Sequence, residues 1–208
     1  MKWIHKLIIL VLLLSIAVGA GIWAFAEFAE YGFAREVDLR EKELRLQVVA
    51  TAQKWVGTKE GSQQHIEILN IYNSHEPLAE GYTVTETDNW CAAFGSTVAV
   101  ECGITDIIPT ECGCERQIGL WQQLNCWQEE DTYIPLPGDY IYYAWDEPFR
   151  LDDCSGWADH VGIVVGTAGP FIKVIEGNWS DSVTYRIIPI NHWQIRGYGL
   201  PDFASKCP

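Results

Sequence analysis

The sequence predicts an α+β domain, with helices first and an antiparallel sheet of roughly five strands second. Apolar residues recur at three- and four-residue steps through the first half of the chain. After Pro135 the pattern changes to short apolar runs bounded by Gly and Pro. The 208 residues are 48% hydrophobic and 20% charged, which suits one domain with its own core and excludes a disordered chain. No repeat and no long linker divides it.

The elements follow in order. Lys2 and Lys6 precede an uncharged apolar run from Leu7 to Ala26, with Glu27 and Glu30 beyond it. This reads as a secretory signal, cleaved at Ala24-Phe25-Ala26 or at Val18-Gly19-Ala20, or as a retained membrane anchor. Either way, positive charge on the near side places the rest of the chain outside the cytoplasm, secreted, in the cell wall or held at the outer membrane face. Residues 1–26 are thus the export segment, 27–43 a connection and 44–208 the domain. Leu44, Val48, Ala52 and Trp55/Val56 mark a first helix stopped by Gly57. A second starts at Ser62 with Ile66, Leu69 and Tyr72 on one face. Gly81 to Asp88 reads as a loop. Trp90 to Cys102 reads as a third helix ended by Gly103, and Ile118, Trp121 and Leu124 mark a fourth. Strands are expected at Asp139–Tyr143, His160–Val165, Phe171–Glu176, Thr184–Ile188 and Ile195–Leu200. Thr167-Ala168-Gly169-Pro170 would join the second to the third as a hairpin.

Fourteen basic residues against 28 acidic ones give a net charge of −14, and no basic run offers a phosphate track. Nucleic acid is therefore excluded as a partner, and the dispersed acid reads as a solvated surface. The single Met excludes an adaptable Met-rich groove. Ten Trp, nine Tyr and seven Phe read mainly as core, with part of the set available as a sugar- or peptide-binding wall.

Seven cysteines occur, so an exported chain must leave at least one outside any internal disulfide. Cys91 stands where a polar loop enters an apolar helix, with Asp88 or Asn89 as the cap. Unpaired N–H groups at a helix start lower a thiol's pKa and can hold the oxyanion formed when thiolate attacks a carbonyl. The alternative is a small buried core residue or a disulfide partner. His160 opens the strand His160-Val161-Gly162-Ile163-Val164-Val165, on the face opposite Val161 and Ile163, with Gly162 leaving room beside it. That suits a general base; a hydrogen-bonded edge histidine is the alternative. His192 is a rival without comparable strand context. The hairpin partner ends Val174-Ile175-Glu176-Gly177-Asn178, so Glu176 or Asn178 can orient the imidazole. Alternation turns Asp159 to the opposite face from His160.

With these residues in place, the sequence resembles the CHAP domain, the cysteine- and histidine-dependent amidohydrolase/peptidase family of papain-like fold. The matching stretches are Trp90-Cys91-Ala92-Ala93-Phe94, Pro137-Gly138-Asp139, Asp159-His160-Val161-Gly162-Ile163-Val164, Ile175-Glu176-Gly177-Asn178 and Gly197-Tyr198-Gly199-Leu200-Pro201. The resemblance spans about Leu44 to Phe203. It implies cleavage of amide bonds in bacterial peptidoglycan, between muramic acid and the stem peptide or within the peptides. It also implies Cys91 as nucleophile, His160 as base, Glu176 as orienter and Asn178 as an accessory polar group. A catalytically inactive wall-binding module of the same fold is the alternative.

Cys102, Cys112, Cys114, Cys126, Cys154 and Cys207 remain, an even set that reads as disulfides in an exported domain. A zinc site from Cys112, Cys114, Cys126 and Cys154 is the weaker alternative, because Cys-x-Cys is a poor zinc pattern. No cofactor is called for. Calcium is conceivable at Glu76, Glu80, Glu86 and Asp88, but their spacing fits no calcium loop. The chain has no His-Glu-x-x-His, Gly-x-Ser-x-Gly, P-loop or Gly-x-Gly-x-x-Gly motif, and no Cys-x-x-Cys for thiol–disulfide exchange. A monomer is expected.

Overall fold

A computed structural model of the chain describes residues 38–130, 132–145 and 154–207. The expected export segment lies outside the described residues. Among those described, no helix is long and apolar enough to cross a membrane.

Four helices precede most of the sheet. Helix α1 covers 38–54, beginning before the periodic stretch at Leu44 because 38–43 are good helix formers carrying charge. Helix α2, Gln63–Asn73, starts at Ser62, whose Oγ accepts from the His65 amide at 3.2 Å. Its buried face is His65, Ile68, Leu69 and Tyr72, whereas Ile66, expected inside, is 37% exposed. Helix α3, Cys91–Cys102, is buried along nearly its whole length and ends at Gly103, whose φ of 67° makes the left-handed cap. Neither Asp88 nor Asn89 caps it: Trp90 occupies the cap position with no side-chain bond, and Asp88 Oδ2 instead accepts from the Thr85 amide within its own loop. Helix α4, Cys114–Gln123, buries Cys114, Gln117, Ile118 and Trp121, while Leu124 lies just beyond it and is 43% exposed.

The sheet has six antiparallel strands in the order β1-β6-β2-β3-β4-β5. Five are those expected: β2 Tyr140–Tyr143, β3 His160–Ala168, β4 Phe171–Glu176, β5 Thr184–Pro189 and β6 Ile195–Gly199. The sixth, β1, is the two-residue pair Trp127–Gln128 against β6, too short to leave a period in the sequence. Strand β3 runs on to Ala168, so the hairpin turn shrinks to Gly169-Pro170.

Alternation sorts the two sheet faces. Tyr140, Tyr142, Val161, Ile163 and Ile175 pack with α1–α4 in one core. Ile141, Tyr143, Val164, Val174, Ile188 and Tyr198 form a second cluster on the other face. Two tyrosine hydroxyls buried in the first core are paired: Tyr140 donates to Gly95 O and Tyr142 to Gln117 Oε1, both at 2.8 Å.

Candidate active site

The start of α3 meets the start of β3. Cys91 is the first residue of α3, and its Sγ lies 3.9 Å from the carbonyl oxygen of Asp159, the residue before His160. His160 stands opposite Tyr143 on β2, and Glu176 stands opposite Gly162 two residues further along β3. His160 and Glu176 therefore share one face of the sheet, the face away from Val161 and Ile163. Gly162 has a stricter role than leaving room: a Cβ there would meet Glu176 Cγ at 2.7 Å and Val174 Cγ1 at 2.5 Å.

His160 Nε2 lies 3.3 Å from Glu176 Oε2. The two atoms are close enough for an ion pair, although neither makes a well-aligned hydrogen bond among the described residues. With Nε2 on the Glu176 side, Nδ1 is the nitrogen available to the Cys91 thiol. Glu176 is fully buried, and its other oxygen accepts from Arg186 Nε at 3.0 Å. Arg186 lies over the Tyr143 ring at 4.2 Å and the Trp179 ring at 4.4 Å, which fixes its fork. Trp145, Tyr143 and Trp179 surround the imidazole, with the Trp145 ring centroid 4.5 Å away.

The electrostatics follow from these contacts. Contact with the Cys114 thiol, then the neighbouring imidazole, holds the Cys91 thiol well below its ordinary value, although burial opposes ionisation. Burial alone would lower the His160 pKa, but Cys91 and Glu176 outweigh it and raise the group to about 9. The site thus favours a thiolate–imidazolium pair.

The remaining expected residues fall at the rim. Asn178 does not continue β4: its φ of 59° turns the chain, and its Nδ2 donates to Asn89 Oδ1 at 3.3 Å. Asn178 and Asn89 nevertheless line the same cleft of about 410 Å³ as Cys91, His160, Trp145, Asp159 and Asp181. The loop carrying Asn178 and Asp181 is held by the turn after α1. Glu60 N donates to Asp181 O at 2.8 Å, and Gly57 N to Val183 O at 2.9 Å. The Asp159 carboxylate accepts from the Trp145 amide at 3.0 Å. His192 lies elsewhere, stacked on Trp193.

Two residues of the site escaped sequence reasoning. Arg186 alternates on β5 diagonal to Glu176, a relation visible only once the β4–β5 register is known. Cys114, read from sequence as a disulfide partner, places its Sγ 3.6 Å from Cys91 Sγ. It opens α4, as Cys91 opens α3, and Glu111 positions it: Glu111 Oε1 accepts from the amides of Cys112 and Gly113 and from Arg116.

Three disulfides among the other six cysteines are not formed. Cys91, Cys102, Cys112, Cys114, Cys126 and Cys207 are free thiols. Cys91 and Cys102 stand at opposite ends of α3, and three of these thiols have oxygen partners instead of sulfur: Cys102 on Thr51 Oγ1, Cys126 on Leu124 O, Cys207 on Phe203 O. Among the described residues, no three His, Cys, Asp or Glu side chains converge as a metal site, neither at the cysteines nor in the acidic loop.

No protein-family model matches the chain, and no curated protein matches it. Among solved structures, the chain is similar to the crystal structure of Ly7917 at 17% identity and a TM-score of 0.36. It is similar also to the crystal structure of Ly7917 with the hydrolyzing product of MDP, at 18% identity and a TM-score of 0.35. Each match covers 66% of this chain and 62% of the other.

Proposed function

We propose that the chain is a cysteine-dependent amidase or endopeptidase of the CHAP type that acts on bacterial peptidoglycan outside the cytoplasm. One observation carries the chemistry: a thiol at a helix start and an imidazole line one cleft, and a fully buried carboxylate lies 3.3 Å behind the imidazole. The substrate class rests on the motif resemblance. In this reading the Cys91 thiolate attacks the amide carbonyl, and the free N–H groups at the start of α3 hold the oxyanion. His160 protonates the leaving amine, then takes a proton from the water that releases the acyl group. Glu176, braced by Arg186, keeps the imidazole oriented and charged. Asn178 and Asn89 line the mouth where the peptide enters.

The test is clearing of purified cell walls with mass spectrometry of the released fragments. Cys91→Ala should lower the rate by on the order of 10³-fold or more while leaving the fold intact. Clearing by Cys91→Ala at the native rate would overturn the mechanism, and a native protein inert on every defined peptidoglycan would favour the non-catalytic wall-binding module.

A further inference from the structure

Hydrolysis by a thiolate needs one cysteine, yet the cleft is backed by two. Cys91 and Cys114 each open a helix, and their sulfurs are 3.6 Å apart, in van der Waals contact. Both are nearly buried, at 5% and 7% exposure, but Cys91 lines the cleft and Cys114 lies behind it on α4. A soluble reagent therefore meets Cys91 first and leaves Cys114 in reach of whatever forms there. Forming a bond would need the sulfurs to close by about 1.5 Å, from contact at 3.6 Å to the length of a disulfide.

We propose that Cys91 and Cys114 are an oxidisable dithiol whose co-substrate is a low-molecular-weight disulfide of the glutathione type, and that its oxidation reversibly blocks the nucleophile. This goes beyond the hydrolytic reading, and the chemistry balances without another reactant. The Cys91 thiolate attacks one sulfur of the disulfide, the external S–S bond breaks, and the first thiolate leaves with the proton held by His160. Cys114 Sγ then attacks Cys91 Sγ in the mixed disulfide, and the second thiolate leaves with the Cys114 proton. The protein dithiol is oxidised by two electrons, and the disulfide is reduced to two thiols. The same contact separates the roles: burial and the adjacent Cys91 thiolate keep the Cys114 proton on, and Cys91 ionises first. Local sequence rules miss the pair because the two cysteines are 23 residues apart.

The experiment incubates the full chain with glutathione disulfide at neutral pH, quenches it by alkylation and maps the cysteine peptides by mass spectrometry. The expected product links the Cys91 peptide to the Cys114 peptide, carries no glutathione on either, and reverts with dithiothreitol. Wall clearing should fall by more than tenfold on oxidation and return on reduction. Cys114→Ser should instead stall with glutathione on Cys91. The native protein carries the decisive result, so the proposal stands or falls even if that variant folds poorly. An unreacted Cys91, a stable glutathione adduct on native Cys91, or a link from either cysteine to a different partner would overturn it. The peptide map needs no hydrolytic activity, so its failure is distinct from failure of the hydrolase reading.

Discussion

Cys91 and His160 carry opposite pKa shifts, and the signs set the working range. The Cys91 thiol is lowered by Cys114 and the imidazole against burial, and His160 is raised to about 9 by Cys91 and Glu176 against burial. With the thiol lowered and the imidazole raised, the pair is thiolate and imidazolium up to about 9. As pH rises through about 9 the imidazolium loses its proton, and in the proposed mechanism the leaving amine loses its acid. We therefore expect kcat/KM for peptidoglycan to fall along an alkaline limb near 9, a value that belongs to the coupled pair. Stability has the same sign. The His160 contribution is complete below its ordinary 6.5 and is lost as pH rises through about 9. Glu176→Gln keeps the volume but removes the charge that helps raise His160, so the limb should move to lower pH. A limb that stays in place in that variant would show that Glu176 does not tune the base. Cys91, His160 and Glu176 could be singled out as candidates because each has a local signature: a loop-to-helix junction, a strand mouth, a carboxylate ending an apolar strand. Cys114 and Arg186 have none, since their roles exist only across elements.

At the level of elements, the hairpin β3–β4 sets the geometry of His160 and Glu176, the proposed base and orienter. Gly162 faces Glu176 across the ladder, and a methyl group there would overlap Glu176 Cγ and Val174 Cγ1. Gly162→Ala should cost about 1–3 kcal/mol of stability through overpacking. It should also lower kcat more than KM, because the carboxylate shifts off the imidazole. Urea denaturation and steady-state kinetics on the same preparation read the two effects separately. An unchanged kcat would mean that Glu176 tolerates displacement. The five longer strands were visible in the sequence because alternation and Gly/Pro punctuation persist over four or more residues. The α2 face was misjudged at Ile66, since His65 turns inward, where its Nδ1 accepts from the Gly61 amide at 3.1 Å and its ring packs on Trp90.

Over the whole molecule, α1 is tied to the sheet and to the C-terminal turn by one side chain. Arg45 donates to Asp139 Oδ1 at 2.8 Å and to Pro137 O at 3.2 Å, and its guanidinium lies over Phe203 at 4.7 Å. Asp139 has no exposure, and burial pushes its carboxyl above the usual range despite Arg45, the Leu136 amide and Tyr133. Removing Arg45 leaves that carboxylate buried without its cation, which costs about 3–5 kcal/mol. Arg45→Ala should therefore show a large drop in the urea midpoint, and an unfolding free energy within a few tenths of a kcal/mol of native would overturn this role for the pair. The turn after α1 also clamps the Asn178–Asp181 loop, so loss of α1 docking should reach the cleft rim.

The sequence by itself determined the α+β order and most element positions, and it singled out the three residues of the proposed site, because periodicity, turn residues and helix-start chemistry act within a few positions. Only the tertiary structure decided that Asn178 turns out of β4, that Arg186 braces Glu176, and that the cysteines do not pair off as three disulfides. It also brought Cys114 against Cys91. The physical reason is range. A strand or a cap is set by neighbours in the chain, whereas the distance between two helix starts is set by how α3 and α4 pack against each other and the sheet.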